Sequence, residues 1–222
     1  MSNTSFPNES TAYREARNAL LRAEEELRDQ AERVAAQRQG LPLGGEIPVD
    51  YAFAELVGDA VKQVALSELF GSDRDTLFVY SFMYGPNMDS ACPMCTALLD
   101  GLDGQVPHLE QQISTAVVAR HDIHTLHEYA RGRGWQNLRL LSSKDNTYNV
   151  DYRGELDGTQ RGVANVFVRR DGRIHHFWHS ELHDGPAVEN GNTRHLDLIW
   201  PLWNVLDLTP GGRGGFFPSL RY

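Results

Sequence analysis

Residues 76–95 read TLFVYSFMYGPNMDSACPMC, an apolar run that ends at a Gly-Pro turn and is followed by Ala91-Cys92-Pro93-Met94-Cys95. The run Thr76 to Tyr84 is rich in aromatic and β-branched residues and is bounded by Gly85 and Pro86, which predicts a strand. Pro93 predicts the start of a helix, because the N–H it lacks would be unpaired in the first turn anyway. Cys92 then caps that helix and faces solvent, and Cys95 lies one turn inside. The chain has two cysteines and places both in this one Cys-x-x-Cys at a strand-to-helix junction, the pattern of a dithiol redox site.

Such a site works through a thiolate, and a free thiol with a pKa near 8.5 is only about 3% ionised at pH 7. The open amides and dipole of a helix N-terminus lower that pKa by roughly one unit. Asp89, Asp100 and Asp103 flank the motif, and no Lys, Arg or His lies between Arg74 and His108. The sequence therefore predicts a modest depression unless a distant histidine folds in. Two other readings fit the cysteines. A zinc site needs four ligands, and the nearest downstream His-x3-His pairs, His175/His179 and His179/His183, lie about 80 residues away. Free cysteines also serve as small buried hydrophobes.

The 222 residues, 41% hydrophobic and 23% charged, suit one domain with an appendage. A net charge of -9 without a basic stripe speaks against nucleic-acid binding, which rests on clustered Lys and Arg. Residues Met1 to Ser10 hold neither a positive segment nor an apolar run, and no 18 consecutive apolar residues occur, so no membrane partner and a cytoplasmic location are expected. In that compartment a lone cysteine pair is more plausibly catalytic than structural.

Ala12, Ala16, Ala19, Leu20, Ala23, Leu27, Ala31, Val34 and Ala35 step by three and four through a charged segment, predicting an amphipathic helix from Ser10 to Gln39 that Gly40 stops. Its alanine stripe suits close packing on the domain or on a partner helix, the route to a homo-oligomer. Residues 1–45 are thus expected to be a helical arm and linker, and 46–222 the domain. Val49, Tyr51 and Phe53 alternate like a short strand, and Leu66 to Phe70 read as a turn of helix. There follow a strand at Leu77 to Met83, a helix from Cys92 to about Asp103, a strand at Ser114 to Ala119, a helix at Ile123 to Arg133 and a strand at Leu138 to Leu141. Gly101, Gly104 and Pro107 should break the Cys92 helix, leaving a second piece at about Val106 to Gln112. Val163 to Arg169 and Arg173 to His179 form a hairpin about Asp171-Gly172. Strand, helix, strand and hairpin is the thioredoxin order: an α/β thioredoxin-like fold, a central mixed sheet flanked by helices, with an N-terminal amphipathic arm.

Several segments together resemble a known family: Leu66 to Gly71, Tyr84-Gly85-Pro86, Cys92-Pro93-Met94-Cys95, Asp100 to Gly104, Gly132-Arg133-Gly134-Trp135 and Leu206 to Arg213. They are similar to those of the bacterial thioredoxin-like proteins catalogued as domain of unknown function 899, labelled predicted dithiol-disulfide oxidoreductases. The resemblance spans most of residues 10 to 222. It implies a fold and a candidate dithiol, and brings no known substrate. Against ordinary thioredoxins the sequence departs twice. Where they place a cis-proline facing the dithiol, this chain has Gln160-Arg161-Gly162-Val163-Ala164, and a trans bond is expected because a non-proline cis bond costs about 2.5 to 4 kcal/mol. Where they bury an acid on the strand before the motif, Thr76 to Pro86 holds none. A specialised partner, a peroxide substrate and a lost activity all remain open.

His121, His124 and His127 step by three along one helix face, while His175, His176, His179 and His183 cluster in and after the hairpin. Imidazoles at such spacing can ligate copper, zinc or nickel, and a cysteine pair joined to a hairpin histidine would resemble copper-delivery proteins of this fold. Strand alternation puts His175 and His179 on one face and His176 on the other. No metal is predicted; the candidates are His175 and His179. Large aromatics such as Trp135, Tyr148, Tyr152, Phe177, Trp178, Trp200 and Trp203 usually fill cores, and no hydrolase, phosphate-loop or dinucleotide motif occurs.

The sequence thus reads as a thiol-disulfide oxidoreductase in which Cys92 attacks and Cys95 resolves, supported by Pro93, Met94, Gly162 and Val163. It needs no cofactor beyond its own Cys92–Cys95 disulfide and acts on a protein or a small thiol or disulfide. The competing reading is a protein that holds copper or zinc with the dithiol and histidines, without turnover.

Overall fold

The computed structural model describes residues 5–183 and 197–220. The chain divides into two compact units, Met1–Pro42 and Leu43–Tyr222. In the first, the Ser10 hydroxyl accepts the Tyr13 amide at 3.1 Å and opens helix α1 (Thr11–Gln39). Gly40 closes it by returning its N–H to the Ala36 carbonyl at 3.0 Å. Alanine, arginine and glutamate give this segment high intrinsic propensity, and none of its residues is buried.

The second unit begins with strands β1 (Ala52–Val57) and β2 (Ala60–Ala65), a hairpin turned by Gly58 at φ +62° and Asp59. The sequence showed only a short strand here, because four of the six β2 residues face solvent and give no alternation. A 3-10 turn follows at Leu66–Leu69, where the Glu68 carboxylate accepts the Ala65 N–H at 2.7 Å. Then come β3 (Thr76–Ser81), α2 (Pro93–Asp103), α3 (Val106–Leu109), β4 (Ser114–Ala119), α4 (Ile123–Arg133), β5 (Leu140–Ser142) and α5 (Tyr148–Asp151). Two hairpins complete the sheets, β6 (Glu155–Leu156) with β7 (Thr159–Gln160) and β8 (Val163–Arg170) with β9 (Arg173–His179), and helix α6 (Pro201–Asp207) follows. Each turns on an Asp-Gly pair at positive φ: Asp171 and Gly172 at 51° and 77°, Asp157 and Gly158 at 50° and 76°. Those are the backbone angles of the tight turn that matches strand twist. The second pair carried the same signal, but its strands are two residues each and show no period. Gly101 lies within α2 and Gly104 ends it. Among the described residues no helix is long and apolar enough to cross a membrane.

Seven strands form one sheet in the order β2-β1-β5-β4-β3-β8-β9. β3, β4 and β5 run parallel, and β8 pairs antiparallel with both β3 and β9. The β4-β3-β8-β9 block, with α2 crossing between β3 and β4, is the thioredoxin-like arrangement; β5 and the β1–β2 hairpin widen it. Both faces are covered, which is why β4 is buried at all six positions and runs apolar without alternation from Ala116 to Ala119. Alternation divides β3 between two cores. Tyr80 packs with Phe82, Leu98, Leu99 and Ile123 on one face, and Leu77 and Val79 pack with Phe53, Leu141, Tyr148 and Phe167 on the other.

α2, which carries the dithiol, is held from its far end. Asp100 accepts the Arg133 guanidinium through both oxygens and the Trp135 indole N–H at 2.8 Å. Asp103 accepts the main-chain N–H groups of Gln136, Asn137 and Leu138 at 3.0, 2.8 and 3.1 Å.

Leu77 is fully buried on the face away from the cysteines. Leu77→Ala is expected to lower unfolding free energy by about 2 to 5 kcal/mol in a denaturant titration. The alkylation rate of Cys92 in the folded protein should stay at the parent value.

Candidate functional site

Pro93 occupies the first turn of α2 and Cys92 is its cap residue, with extended backbone angles. The Cys92 N–H donates to the Met83 carbonyl at 3.1 Å, which ties the helix start to the end of β3. Its own carbonyl accepts the Thr96 N–H at 3.0 Å and the Thr96 hydroxyl at 2.9 Å, and that hydroxyl also meets the Tyr129 hydroxyl at 2.8 Å. Both cysteines are free thiols; Cys92 is half-buried, while Cys95 is 3% exposed. One turn of helix thus separates a reachable sulfur from a sealed one.

The two sulfurs polarise each other. A hydrogen bond from the Cys95 thiol lowers the Cys92 pKa to about 6 against the cost of burial, helped by the Cys95 and Met94 amides at the open helix end. Donating that bond, burial and the neighbouring negative sulfur together push the Cys95 thiol well up. The drop at Cys92 exceeds the modest depression expected from sequence, and no histidine supplies it. The donor is the second cysteine of the motif itself. Asp100 and Asp103, expected to oppose the thiolate, are instead engaged by Arg133, Trp135 and the 136–138 main chain.

Gly162 lies against this pair. A Cβ built there would stand 2.8 Å from Cys95 Sγ and 2.9 Å from the Tyr80 hydroxyl, so the chain entering β8 passes the dithiol only because it carries no side chain. Val163 is buried and pairs with Ser81, and the described residues hold no cis peptide bond, so Gly162–Val163 is trans. Tyr80, on the β3 face that packs under α2, is sealed from solvent and hydrogen-bonds Cys95. Sequence reasoning sought an acid on this strand and passed over the tyrosine. The signal was present: Phe78, Tyr80 and Phe82 share one face by alternation, and only the middle one carries a polar tip.

Around the site, Phe82, Tyr84, Tyr129 and Trp135 form an aromatic layer, and His121 lies on Tyr84 at 4.5 Å between ring centres. Beside Met83 opens a cavity of about 490 Å³, walled by the Gly85–Met88 loop, Arg120 and the β6–β7 hairpin. Arg120 pairs with Glu155, which also accepts from Gln160 at 2.7 Å.

The hairpin histidines depart from their expected faces. A β-bulge between Val166 and Phe167 sets Trp178 opposite Val166 and His176 opposite Phe167, leaving Phe177 as the extra residue. That one residue reverses the alternation, so His176 and His179, not His175 and His179, share a face. Both rings meet the Asn165 side-chain oxygen, at 3.0 and 2.9 Å, beside a cavity of about 460 Å³ that includes Asp151 and Glu181. His175 turns to the edge and reaches the Gly44 carbonyl at 3.1 Å. Asn165 alternates with Ala164, which packs on the cysteine side, so the His176–His179 pair lies across the sheet from Cys95. The hairpin therefore brings none of these three imidazoles to the dithiol. The side chain of His183 falls outside the described residues. His121 accepts the Asp122 N–H at 2.9 Å, and burial lowers the His127 pKa. Among the described residues no group of three His, Cys, Asp or Glu side chains has the proximity to hold a metal. Tyr148, Tyr152 and Trp135 pack in ring clusters, and Trp200 packs on Trp203.

The profile of the family described as "Bacterial protein of unknown function (DUF899)" matches residues 3–219. No curated protein matches the sequence. Solved structures similar to this chain include thioredoxin peroxidase I of Plasmodium yoelii, 15% identical over 82% of this chain and 98% of that one, with a TM-score of 0.45. Another is reduced Prx3 of Vibrio vulnificus in complex with H2O2, 12% identical over 60% of this chain and 84% of that one, with a TM-score of 0.43. A third is the reduced 2-Cys peroxiredoxin of Plasmodium vivax, 15% identical over 60% and 81%, with a TM-score of 0.45.

A thiol lowered to about 6 is mostly thiolate at neutral pH, so limiting iodoacetamide should label Cys92 ahead of Cys95 in peptide maps. Its alkylation rate should rise as pH passes upward through about 6 and then level, where an ordinary thiol would still be climbing near 8.5. Cys95→Ala removes the S–H donor and should move the midpoint to higher pH. Labelling of Cys95 first, or a midpoint unmoved in the variant, contradicts the assignment.

Proposed function

This chain belongs to the bacterial family of unknown function DUF899, and we propose that it is a thiol-disulfide oxidoreductase whose nucleophile is Cys92 and whose resolving thiol is Cys95. One observation carries the reading: a half-buried thiol at a helix N-terminus, lowered to about 6, receives a hydrogen bond from a second, sealed thiol one turn away. A structural cysteine pair has no need of that asymmetry, whereas exchange chemistry needs one accessible thiolate and one thiol held in reserve. Cys92 attacks one sulfur of a substrate disulfide, and the other sulfur leaves as a thiolate that takes a proton from water. Cys95 then attacks the Cys92 sulfur of the mixed disulfide. The substrate's remaining sulfur departs with the Cys95 proton, and two electrons have passed from the dithiol to the substrate. An external thiol restores the reduced pair, so the protein is placed in a reducing compartment, the cytoplasm. The dithiol is its only redox group in this reading.

The substrate is a disulfide of a protein or small molecule presented at the α2 N-terminus. Thioredoxin-type substrates pair with main chain beside a cis-proline. The trans Gly162–Val163 bond in that place favours a narrower substrate range.

Cys95→Ser should accumulate a mixed disulfide on Cys92, recoverable by non-reducing electrophoresis and mass spectrometry, while Cys92→Ser should recover none. Adducts in equal amount from both variants, or from neither in oxidant-treated cells, would sink the oxidoreductase reading. Insulin reduction driven by dithiothreitol is expected to run well below the rate of an ordinary thioredoxin; an equal rate would show that the trans Gly162–Val163 bond does not restrict substrates.

A further inference from the structure

Resolution of a mixed disulfide requires Cys95 as a thiolate, yet the strongest influences in the reduced site hold this sulfur protonated. It is sealed, it donates to Cys92, and it faces that sulfur's negative charge. The strand before the motif offers no carboxylate to help it, since Thr76 to Pro86 contains neither Asp nor Glu. What this strand does supply is the Tyr80 hydroxyl. Resting on the oxidoreductase reading above, we propose that Tyr80 is a catalytic residue of the resolving step: with the Met83 amide it forms a two-donor cradle for the Cys95 thiolate, which comes into play once Cys92 is bound to substrate.

The placement follows from the strand. Tyr80 shares its β3 face with Phe82 and pairs with Ala164 on β8, so its ring runs beneath α2 and its hydroxyl ends at the Cys95 sulfur. Complete burial next to two sulfurs keeps the phenol neutral. Tyr80 can therefore give a hydrogen bond but cannot take the proton, which distinguishes it from a buried acid serving as a base. The titratable groups acting on Cys95 are Cys92 from its own helix and Tyr80 from β3; the third neighbour, Gly162 at the entrance to β8, contributes only main chain.

Substrate engagement changes the balance of these contacts. While Cys92 is a thiolate, Cys95 has an acceptor for its S–H and a like charge that forbids its own ionisation. Formation of the Cys92–substrate disulfide removes both. The donors that remain, the Tyr80 O–H and the Met83 N–H, favour the anion. The Cys95 proton passes by way of water to the substrate sulfur: the Cys95 thiolate attacks the Cys92 sulfur, a Cys92–Cys95 disulfide forms as the Cys92–substrate bond breaks, and the substrate sulfur leaves carrying that proton. Cys95 is thus held unreactive until a substrate is bound, which prevents it from competing for substrates. Gly162 is part of the device, because a Cβ there would press on both the sulfur and the hydroxyl.

The test reads the two steps separately in one mixing experiment. Reduced protein with one equivalent of dithiobis-nitrobenzoate releases one coloured thiolate when Cys92 attacks and a second when Cys95 resolves. Tyr80→Phe should leave the first phase at the parent rate, slow the second roughly ten-fold or more, and move the pH midpoint of the second phase upward. Gly162→Ala, which keeps the hydroxyl but forces it and the sulfur apart, should slow the same phase. A second phase in Tyr80→Phe within about two-fold of the parent at an unmoved midpoint overturns the role of Tyr80 and leaves the oxidoreductase reading standing. Loss of both phases together in the two variants marks Tyr80 as structural and overturns it as well. Absence of a second phase in the parent protein overturns the oxidoreductase reading, and this role falls with it.

Discussion

Pairing of β3 on both edges, with β4 on one side and β8 on the other, is the constraint on which the remaining architecture rests. A strand hydrogen-bonded on both edges and covered on both faces has no freedom of register, because a slip of one residue would send every side chain to the opposite core. The same strand therefore fixes Leu77 and Val79 in one core and Tyr80 and Phe82 in the other. Its exit delivers Met83, whose carbonyl anchors the Cys92 amide. The helix that carries the dithiol is thus positioned from the centre of the sheet, and Asp100 and Asp103 secure its far end against the segment that follows α4.

At the dithiol the decisive balance is between burial and hydrogen bonding. Burial raises the pKa of either thiol, and for Cys95 it acts with the adjacent negative sulfur. For Cys92 the donor supplied by Cys95 outweighs it, and the amides at the helix end add to the effect. Helix-end effects are worth at most about 2 kcal/mol in favourable geometry, and a charge-assisted hydrogen bond is of similar size. Their sum accounts for a fall from the ordinary range near 8.5 to about 6 without any cationic side chain. This is why Asp100 and Asp103 do less harm than their position in the sequence suggests: their charge is already engaged by Arg133, by an indole and by backbone amides.

The second face of the sheet has its own polar constellation, with His176 and His179 both directed at Asn165. It owes its existence to one bulged residue in β9. The unbroken alternation expected of that strand would have separated these two rings and joined His175 to His179. The distance across the sheet keeps this cluster from contributing ligands or protons to the cysteines.

The sequence by itself determined the local grammar of the protein. The apolar run Thr76 to Tyr84, Pro93 after Cys92, the three-and-four steps of Ile123 to Arg133 and the Asp171-Gly172 turn each encode their conformation within a few residues. Strand, helix, strand and hairpin in that order admit few sheets, so the thioredoxin-like core was legible as well, together with the two sulfurs at its helix start. The β1–β2 and β6–β7 hairpins were not, because exposed or two-residue strands leave no period to read. Only the tertiary structure decided what surrounds the sulfurs. Tyr80 and Cys95 come from different elements, and Gly162 lies far along the chain from both. Their meeting is set by strand pairing and by the close approach that a missing Cβ permits. The histidine faces were decided there too, since a bulge is one extra residue whose place depends on the partner strand, and a period of two turns that single residue into a change of face.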